Sequence, residues 1–197
     1  VRGTRDGLPL ADDVLPAPGV AHEDVAAAAE ASLAGHIVGA SIDVGELLVA
    51  RGATPRRRVV VMARDMGVVV EPVAPAAAVS VLPAGRTSPD ALLDAYIAAY
   101  PPGHPDHRPA LDREGELEEL RELMAGEVVG PQLACSRVAI AGDAPVGAAL
   151  LYDHAGKRPL GGPWVGELFR HPDAPAGTGA ALLASALAAA RDDGLAT

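Results

Sequence analysis

Aromatic residues and cysteine are scarce in this chain of 197 residues. Aromatic residues make up 3% of the sequence, and Cys135 is its one cysteine. A lone cysteine cannot form a disulfide within the chain, which favours a reducing compartment, and we expect a cytoplasmic protein. Hydrophobic residues still make up 49%, so the chain can bury a core, built mainly of alanine, valine and leucine.

Positive charge is also limited. The formal net charge of −10 argues against a nucleic-acid partner and favours cationic partners such as amines. No apolar run approaches the roughly 20 residues that span a bilayer, so we expect no membrane partner. Lys157 is the only lysine among the 16 basic residues, a bias typical of high-GC bacterial genomes.

The first third of the chain predicts a small α/β extension. Prolines and glycines recur through residues 1–21, which predicts a loop or a poorly ordered arm. Helices are predicted at about 22–33 and 44–50, and a strand at 59–62. The arginine run at 56–58 could bind phosphate, but a solvated strand end is the better interpretation. We place a domain boundary at residue 72, between an N-terminal extension (1–72) and a main domain (73–197).

The main domain alternates strands and helices. Ser88 and Pro89 form a typical helix start, with a capping side chain followed by proline in the first turn. The predicted elements are a strand at 77–82, helices at 88–100 and 111–125, and a hairpin of 136–141 with 146–152. The second helix is acidic, which indicates a solvated face or, less simply, the lining of a site for a cationic amine.

Two polar groups have competing interpretations. His104, Asp106 and His107 could ligate a metal, but the set lacks a fourth ligand, and polar residues of an exposed loop are the better interpretation. We therefore predict no metal site. Cys135 could be a reactive thiol, but an inert buried cysteine is the simpler interpretation.

The most informative stretch runs from Trp164 to Arg191 and predicts a strand, a tight turn and a helix. Residues 164–169 form strands readily, whereas 179–191 is mostly alanine and leucine. Gly177 and Gly179 leave the turn's backbone open, and a helix N-terminus offers free N–H groups to an anion such as a pyrophosphate. A glycine-rich turn that only joins strand to helix is the alternative.

This stretch resembles the acyl-CoA-binding motif of the GCN5-related N-acetyltransferases (the GNAT family). Gly177-Thr178-Gly179 matches the glycines of the motif, and Ala180-Ala181-Leu182-Leu183 matches the start of its helix. The motif's basic or amide position falls on Ala174, and the turn is about one residue short. The resemblance covers about residues 76–197. It implies an α/β fold with a mixed, mostly antiparallel twisted sheet flanked by helices.

The resemblance implies an acyl-CoA-dependent N-acyltransferase that moves an acetyl group from acetyl-CoA, its co-substrate, to an unidentified small-molecule or protein amine. Glu167 would be the general base, although it could also be a strand-end carboxylate without a proton role. The pantetheine arm would pair along Leu168, Phe169 and Arg170. The pyrophosphate would sit on the turn formed by Pro175, Ala176, Gly177, Thr178, Gly179 and Ala180. A tyrosine often protonates the leaving thiolate in this family, but spacing does not select among Tyr96, Tyr100 and Tyr152.

The family fold continues after this helix with a strand, a helix and a hairpin, and the sequence ends where that strand would begin. We therefore expect the C-terminal strands to be missing. Residues 44–65 could supply a substitute helix and strand, within the chain or in a homodimer. One alternative function is a catalytically inactive GNAT-like module that senses a ligand or binds a protein. A dinucleotide-binding domain is a weaker alternative.

Overall fold

The chain divides into two compact units, Val1–Val59 and Val60–Thr197. The computed structural model describes residues 2–5, 7–59, 62–69, 71, 73–74, 78–154 and 161–195. The predicted domain boundary at residue 72 falls outside the described residues and stays a prediction. No helix in these ranges combines the length and the apolar character needed to cross a bilayer.

The first unit is a small α/β structure. Its elements are β1 (Arg2–Arg5), β2 (Leu8–Val14), α1 (His22–Ser32), β3 (Ile37–Ala40) and α2 (Ile42–Ala50). Strand β2 lies in the centre of a three-stranded sheet, antiparallel to β1 and parallel to β3. Both helices agree with the helices predicted from the sequence, whereas nothing in the sequence pattern predicts β3.

The prediction of a loop or a poorly ordered arm at residues 1–21 is wrong, because β1 and β2 lie within it. Pro9 pairs with Thr4 of β1, and pairing with β3 begins only at Leu10. Pro9 therefore lies where β2 has a neighbouring strand on one side only, a position at which proline is tolerated. The sequence alone does not show which residues of a strand have two neighbours.

The predicted strand at residues 59–62 is only partly described. Val60 and Val61 lie outside the described residues, and Val59 and Met62 adopt no regular structure. Arg58, in the basic run, forms an exposed ion pair with Glu46 of α2, with 3.3 Å between the charged atoms. The proposal that residues 44–65 complete a sheet therefore stays a prediction, although its helix is present.

The second unit is a four-stranded antiparallel sheet flanked by helices. Its strands lie in the order β4, β5, β6, β7. Its elements are β4 (Val79–Pro83), a 3-10 turn (Ala84–Arg86), α3 (Pro89–Ala99), α4 (Arg113–Ala125), β5 (Arg137–Ala141), β6 (Ala144–His154), β7 (Gly162–Arg170) and α5 (Thr178–Asp192). This confirms the predicted α/β class and the flanked sheet.

Local sequence signals explain where these helices begin and end. The Ser88 side chain accepts a hydrogen bond from the N–H of Ala91 at 3.3 Å, and Pro89 is the first residue of α3. Asp112 caps α4 in the same way through the N–H of Gly115 at 2.9 Å. Gly126 ends α4 in the left-handed conformation (φ 80°) that favours glycine. These caps stand next to apolar periodic segments, so the sequence predicts both helices.

The helices cover both faces of the sheet with separate apolar clusters. One cluster joins α3 and α4 to the sheet and includes Leu92, Tyr96, Leu120, Leu150 and Phe169. The other joins α5 to the sheet and includes Ala139, Ala149, Leu151, Leu182 and Ala186. Successive residues of β6 alternate between these clusters, as the pleat of a strand requires.

Strand β7 contains a bulge at Gly166. Leu150 of β6 pairs with Glu167 and the next residue, Leu151, pairs with Val165, so Gly166 is an extra residue. A Cβ atom at this position would lie 2.6 Å from Cδ2 of the Tyr152 ring. Only glycine fits this close approach without displacing the ring.

We expect the substitution Gly166→Ala to destabilise the second unit by about 1–3 kcal/mol, because the methyl group overpacks against the Tyr152 ring. The measurement is urea unfolding followed by the fluorescence of Trp164, the only tryptophan. Gly85→Ala is the matched control, since a Cβ at Gly85 meets no atom within 4 Å. Equal unfolding free energies for the two variants would contradict the described contact.

Candidate active site on strand β7

The bulge at Gly166 changes the face of the sheet on which β7 side chains lie. Val165 packs in the cluster beneath α5, whereas Phe169 packs in the cluster beneath α3 and α4. In a regular strand these two residues, four apart, would share a face. The extra residue therefore turns Glu167, two residues before Phe169, toward α3.

The Glu167 carboxylate meets the end of α3. The hydroxyl of Tyr100 donates a hydrogen bond to Oε2 of Glu167 at 2.5 Å. The two residues are 67 positions apart in sequence and partly buried. A hydrogen bond to an ionised acceptor of this length is among the stronger kinds in proteins.

A second tyrosine links α3 to the following loop. The Tyr96 hydroxyl accepts a hydrogen bond from Nη1 of Arg108 at 2.9 Å. The Arg108 guanidinium also forms ion pairs with Glu119 at 2.8 Å and Glu116 at 3.4 Å, both on α4. The Tyr96 ring packs edge-on against Phe169, with 5.2 Å between ring centroids. These contacts hold the loop after α3, through Arg108, against Tyr96 of α3 and against α4.

The environment shifts the pKa values of the groups in this cluster. Burial raises the pKa of Glu167 above its ordinary value near 4.5, although the Tyr100 hydrogen bond and the Arg108 charge oppose the shift. Burial and the Glu167 carboxylate raise the pKa of Tyr100 well above its ordinary range. Glu167 is therefore a better proton acceptor than an exposed glutamate, while Tyr100 stays protonated.

Tyr152 contributes a buried hydroxyl without a partner. Its side chain is fully buried on β6, and no group in the described part of the chain forms a hydrogen bond with its hydroxyl. Burial, followed by the charge of Glu167, raises the pKa of Tyr152. The Tyr152 hydroxyl is therefore a neutral polar group on the same side of the sheet as Glu167.

The turn after β7 is held by Arg170. Its Nη1 atom donates to the carbonyls of Pro172 at 3.0 Å, His171 at 3.2 Å and Ala174 at 3.5 Å. Ala174, at the motif's basic position, is 7% exposed. Alanine brings no charge to this position, whereas Arg170 places a positive charge at the same turn.

The N-terminus of α5 follows this turn. Gly177 caps the helix with a φ of 84°, a conformation that favours glycine. The carbonyl of Gly177 accepts a hydrogen bond from the N–H of Ala181 at 2.9 Å. The N–H groups of Gly179 and Ala180 have no hydrogen-bond acceptor among the described residues. These groups and the helix dipole favour an anion at this end.

Thr178, one of the residues predicted at the pyrophosphate turn, directs its side chain into the turn. Its side chain is fully buried, and its hydroxyl donates to the Pro175 carbonyl at 2.6 Å. The hydroxyl proton is therefore used within the turn and is not free for a phosphate oxygen. Thr178 shapes the turn, while the exposed Ala176 and Ala180 flank its open side.

The pantetheine residues predicted on β7 divide between the two faces. Phe169 is 5% exposed and packs against Tyr96, so only its backbone can face a ligand. Leu168 is 43% exposed, and Arg170 is exposed beside the turn. Among the described strands β7 pairs only with β6, which leaves its other edge able to form backbone hydrogen bonds.

Sequence reasoning therefore finds the carboxylate and the turn but misses their partners. Tyr100, Arg108 and Tyr152 surround Glu167, yet nothing in their spacing links them to it. The one local signal for Tyr100 is that it precedes Pro101 and Pro102. These prolines end α3 and so place Tyr100 at the end of the helix. Tertiary packing brings these groups together.

The loop after α3 borders an open cavity of about 340 Å³. Its lining includes Tyr100, Asp106, His107 and Glu116, but Glu167 does not line it. The ring Nδ1–H of His107 donates to the Tyr100 carbonyl at 2.9 Å, and His104 Nδ1 accepts from the N–H of Asp106 at 3.1 Å. The described residues contain no group of three side chains able to hold a metal ion.

We expect the raised pKa of Glu167 to appear in the pH dependence of stability. A carboxyl group with a raised folded-state pKa stabilises the fold below its unfolded pKa, and this contribution is lost as pH rises through the folded pKa. Relative to Glu167→Gln, the wild type should lose stability above about pH 4.5, at up to about 1.4 kcal/mol per pH unit. Urea unfolding across pH tests this, and a pH-independent difference would contradict the shift.

Comparison with known proteins adds no family assignment to this geometry. No family model matches the chain, and no curated protein matches it. The resemblance to the GNAT family therefore stays a prediction, and the site is interpreted from its geometry.

Proposed function

We propose that the protein is an acyl-CoA-dependent N-acyltransferase that transfers an acetyl group from acetyl-CoA to an amine. One observation carries the proposal. A single strand, β7, holds a partly buried carboxylate of raised pKa and leads, within ten residues, into a glycine-capped helix N-terminus. These are the two chemical requirements of the reaction, a proton acceptor and a pyrophosphate site.

The order of elements in the second unit supports the same function. A strand and two helices precede three consecutive antiparallel strands, and a helix follows the last strand. The resemblance implies this succession of three strands and a helix. The free edge of β7 would pair with the amides of the pantetheine arm, as an added strand would.

The pyrophosphate would bind at the N-terminus of α5. The N–H groups of Gly179 and Ala180 would donate to it, and the guanidinium of Arg170 would supply charge that Ala174 cannot. Gly179 presents no side chain, so phosphate oxygens can approach the backbone closely. The net charge of −10 would oppose a polyanion elsewhere, so this local charge matters.

Glu167 would act as the general base. The acceptor amine is mostly protonated at neutral pH and must lose a proton to attack the thioester carbonyl. The carboxylate would take this first proton. As the nitrogen–carbon bond forms and the carbon–sulfur bond breaks, the second nitrogen proton would pass to the departing sulfur, so that CoA leaves as the thiol. The acceptor is a small-molecule or protein amine. Acetyl-CoA chemistry and the single cysteine agree with a cytoplasmic location.

A catalytically inactive relative that senses a ligand or binds a protein is the second candidate. The observation that favours it is the state of the turn. Ala174 is buried, Arg170 already donates to three carbonyls, and the Thr178 hydroxyl is used within the turn. Such a module would retain the fold and lose transfer.

We expect acetyl-CoA and free CoA, at about 100 times the dissociation constant, to raise the melting temperature by roughly 5–10 °C. NAD should cause no rise. The variant Ala180→Asp should abolish the shift, because its exposed carboxylate repels the pyrophosphate while still favouring the helix N-terminus. Ala180→Asn is the matched control of similar shape, and it should retain most of the shift.

Turnover separates the two candidate functions. Thiol release from acetyl-CoA would be measured with a panel of polyamines, amino acids and peptides with free N-termini. The transferase predicts that Glu167→Gln keeps the melting shift but lowers turnover by about 100-fold or more, the usual contribution of a general base. Binding without turnover by the wild type on every amine would favour the sensor.

A further inference from the structure

Tyr100 stands at the C-terminal end of α3 and is fixed from several directions. Its N–H donates to the Ile97 carbonyl at 3.2 Å, and its own carbonyl accepts from Nδ1 of His107 at 2.9 Å. Its ring packs edge-on against Tyr96, with 5.3 Å between centroids, and against His104, with 5.0 Å. Both the backbone and the ring are held, so the direction of the hydroxyl is set before any ligand binds.

This hydroxyl makes the two oxygens of Glu167 unequal. Oε2 accepts the hydrogen bond from Tyr100 at 2.5 Å. No other side chain in the described part of the chain forms a hydrogen bond with the carboxylate. Oε1 is therefore the oxygen able to take a proton from an incoming group.

The three tyrosines have different roles in hydrogen bonding. Tyr100 donates to Glu167, Tyr96 accepts from Arg108, and the Tyr152 hydroxyl has no partner among the described residues. The proton of Tyr100 is engaged by the carboxylate, and burial makes this phenol harder to ionise. It is thus unsuited to protonating a leaving thiolate, and its interaction is with the base.

We propose that Tyr100 is a positioning residue for Glu167, whose hydroxyl holds Oε2, stabilises the carboxylate and directs Oε1 toward the acceptor amine. This rests on the proposed transferase function for the identity of the acceptor. The effect of the hydroxyl on the carboxylate does not, because it is a property of the folded protein without ligand.

Several groups face Glu167 from the surrounding elements. They are Tyr96 and Tyr100 on α3, Asp106 and Arg108 in the loop after α3, Glu119 on α4 and Tyr152 on β6. The Tyr100 hydrogen bond and the Arg108 charge favour the ionised carboxylate, whereas burial, Asp106 and Glu119 oppose it. Removing the Tyr100 hydroxyl should therefore raise the pKa of Glu167 further.

The test compares wild type, Glu167→Gln, Tyr100→Phe and the double variant. Urea unfolding is followed by Trp164 fluorescence from about pH 4 to about pH 9. In each background, the difference made by Glu167→Gln reports the titration of Glu167 in the folded protein. We expect Tyr100→Phe to move this titration upward by about one to two pH units, the value of a hydrogen bond to a charged group.

Tyr152→Phe is the matched control. It also removes one buried phenol oxygen on the same side of the sheet, but that oxygen has no described partner. The titration of Glu167 should stay in place in this variant. A titration that does not move in Tyr100→Phe, or that moves equally in both variants, would overturn the proposal.

Kinetics then separate this proposal from the proposed function. With an acceptor found, the acidic limb of the kcat/KM profile in Tyr100→Phe should shift upward by the same interval. At pH values above this limb, kcat should stay within a few-fold of wild type. If the stability titration shifts but no amine is acetylated, the effect of Tyr100 on Glu167 is supported and the transferase function is excluded. Turnover with an unmoved limb would overturn the positioning role.

Discussion

The close approach of the Tyr152 ring to the backbone of Gly166 is the constraint on which the site depends. A Cβ atom at residue 166 would lie 2.6 Å from that ring. The bulged backbone can therefore pack against the ring only when residue 166 is glycine. The bulge turns Glu167 toward α3, where the Tyr100 hydroxyl meets it. Without it, Val165 and Glu167 would share a face and the carboxylate would lie among the apolar groups beneath α5.

Four of the five aromatic residues of the chain gather around this point. Aromatic residues make up 3% of the sequence, yet Tyr96, Tyr152 and Phe169 share one apolar cluster and Tyr100 packs against it. Burial raises the pKa of Glu167, and the hydroxyl of Tyr100 donates the hydrogen bond to its carboxylate. A core of alanine and leucine alone could bury the carboxylate but could not offer it a hydrogen-bond donor.

The two sites proposed on strand β7 would have opposite electrostatic requirements. A general base benefits from burial, because desolvation raises the pKa of a carboxylate. A pyrophosphate site needs accessible N–H groups and positive charge, which the N-terminus of α5 and Arg170 provide in exposed positions. The strand carries Glu167 on the α3 side and ends in a turn that leads to α5, which keeps the two environments apart.

The sequence by itself determined the elements whose signals are local. The cap at Ser88, the hairpin of β5 and β6 and the turn at Gly177 all lie where their residues predict them. Strands β1 and β2 escaped prediction, because proline is tolerated in a strand where a neighbour is missing on one side, and the number of neighbouring strands is not a local property. Tertiary structure alone decided that Glu167 meets Tyr100, 67 residues away, because sheet register and one extra residue set the face on which a side chain lies.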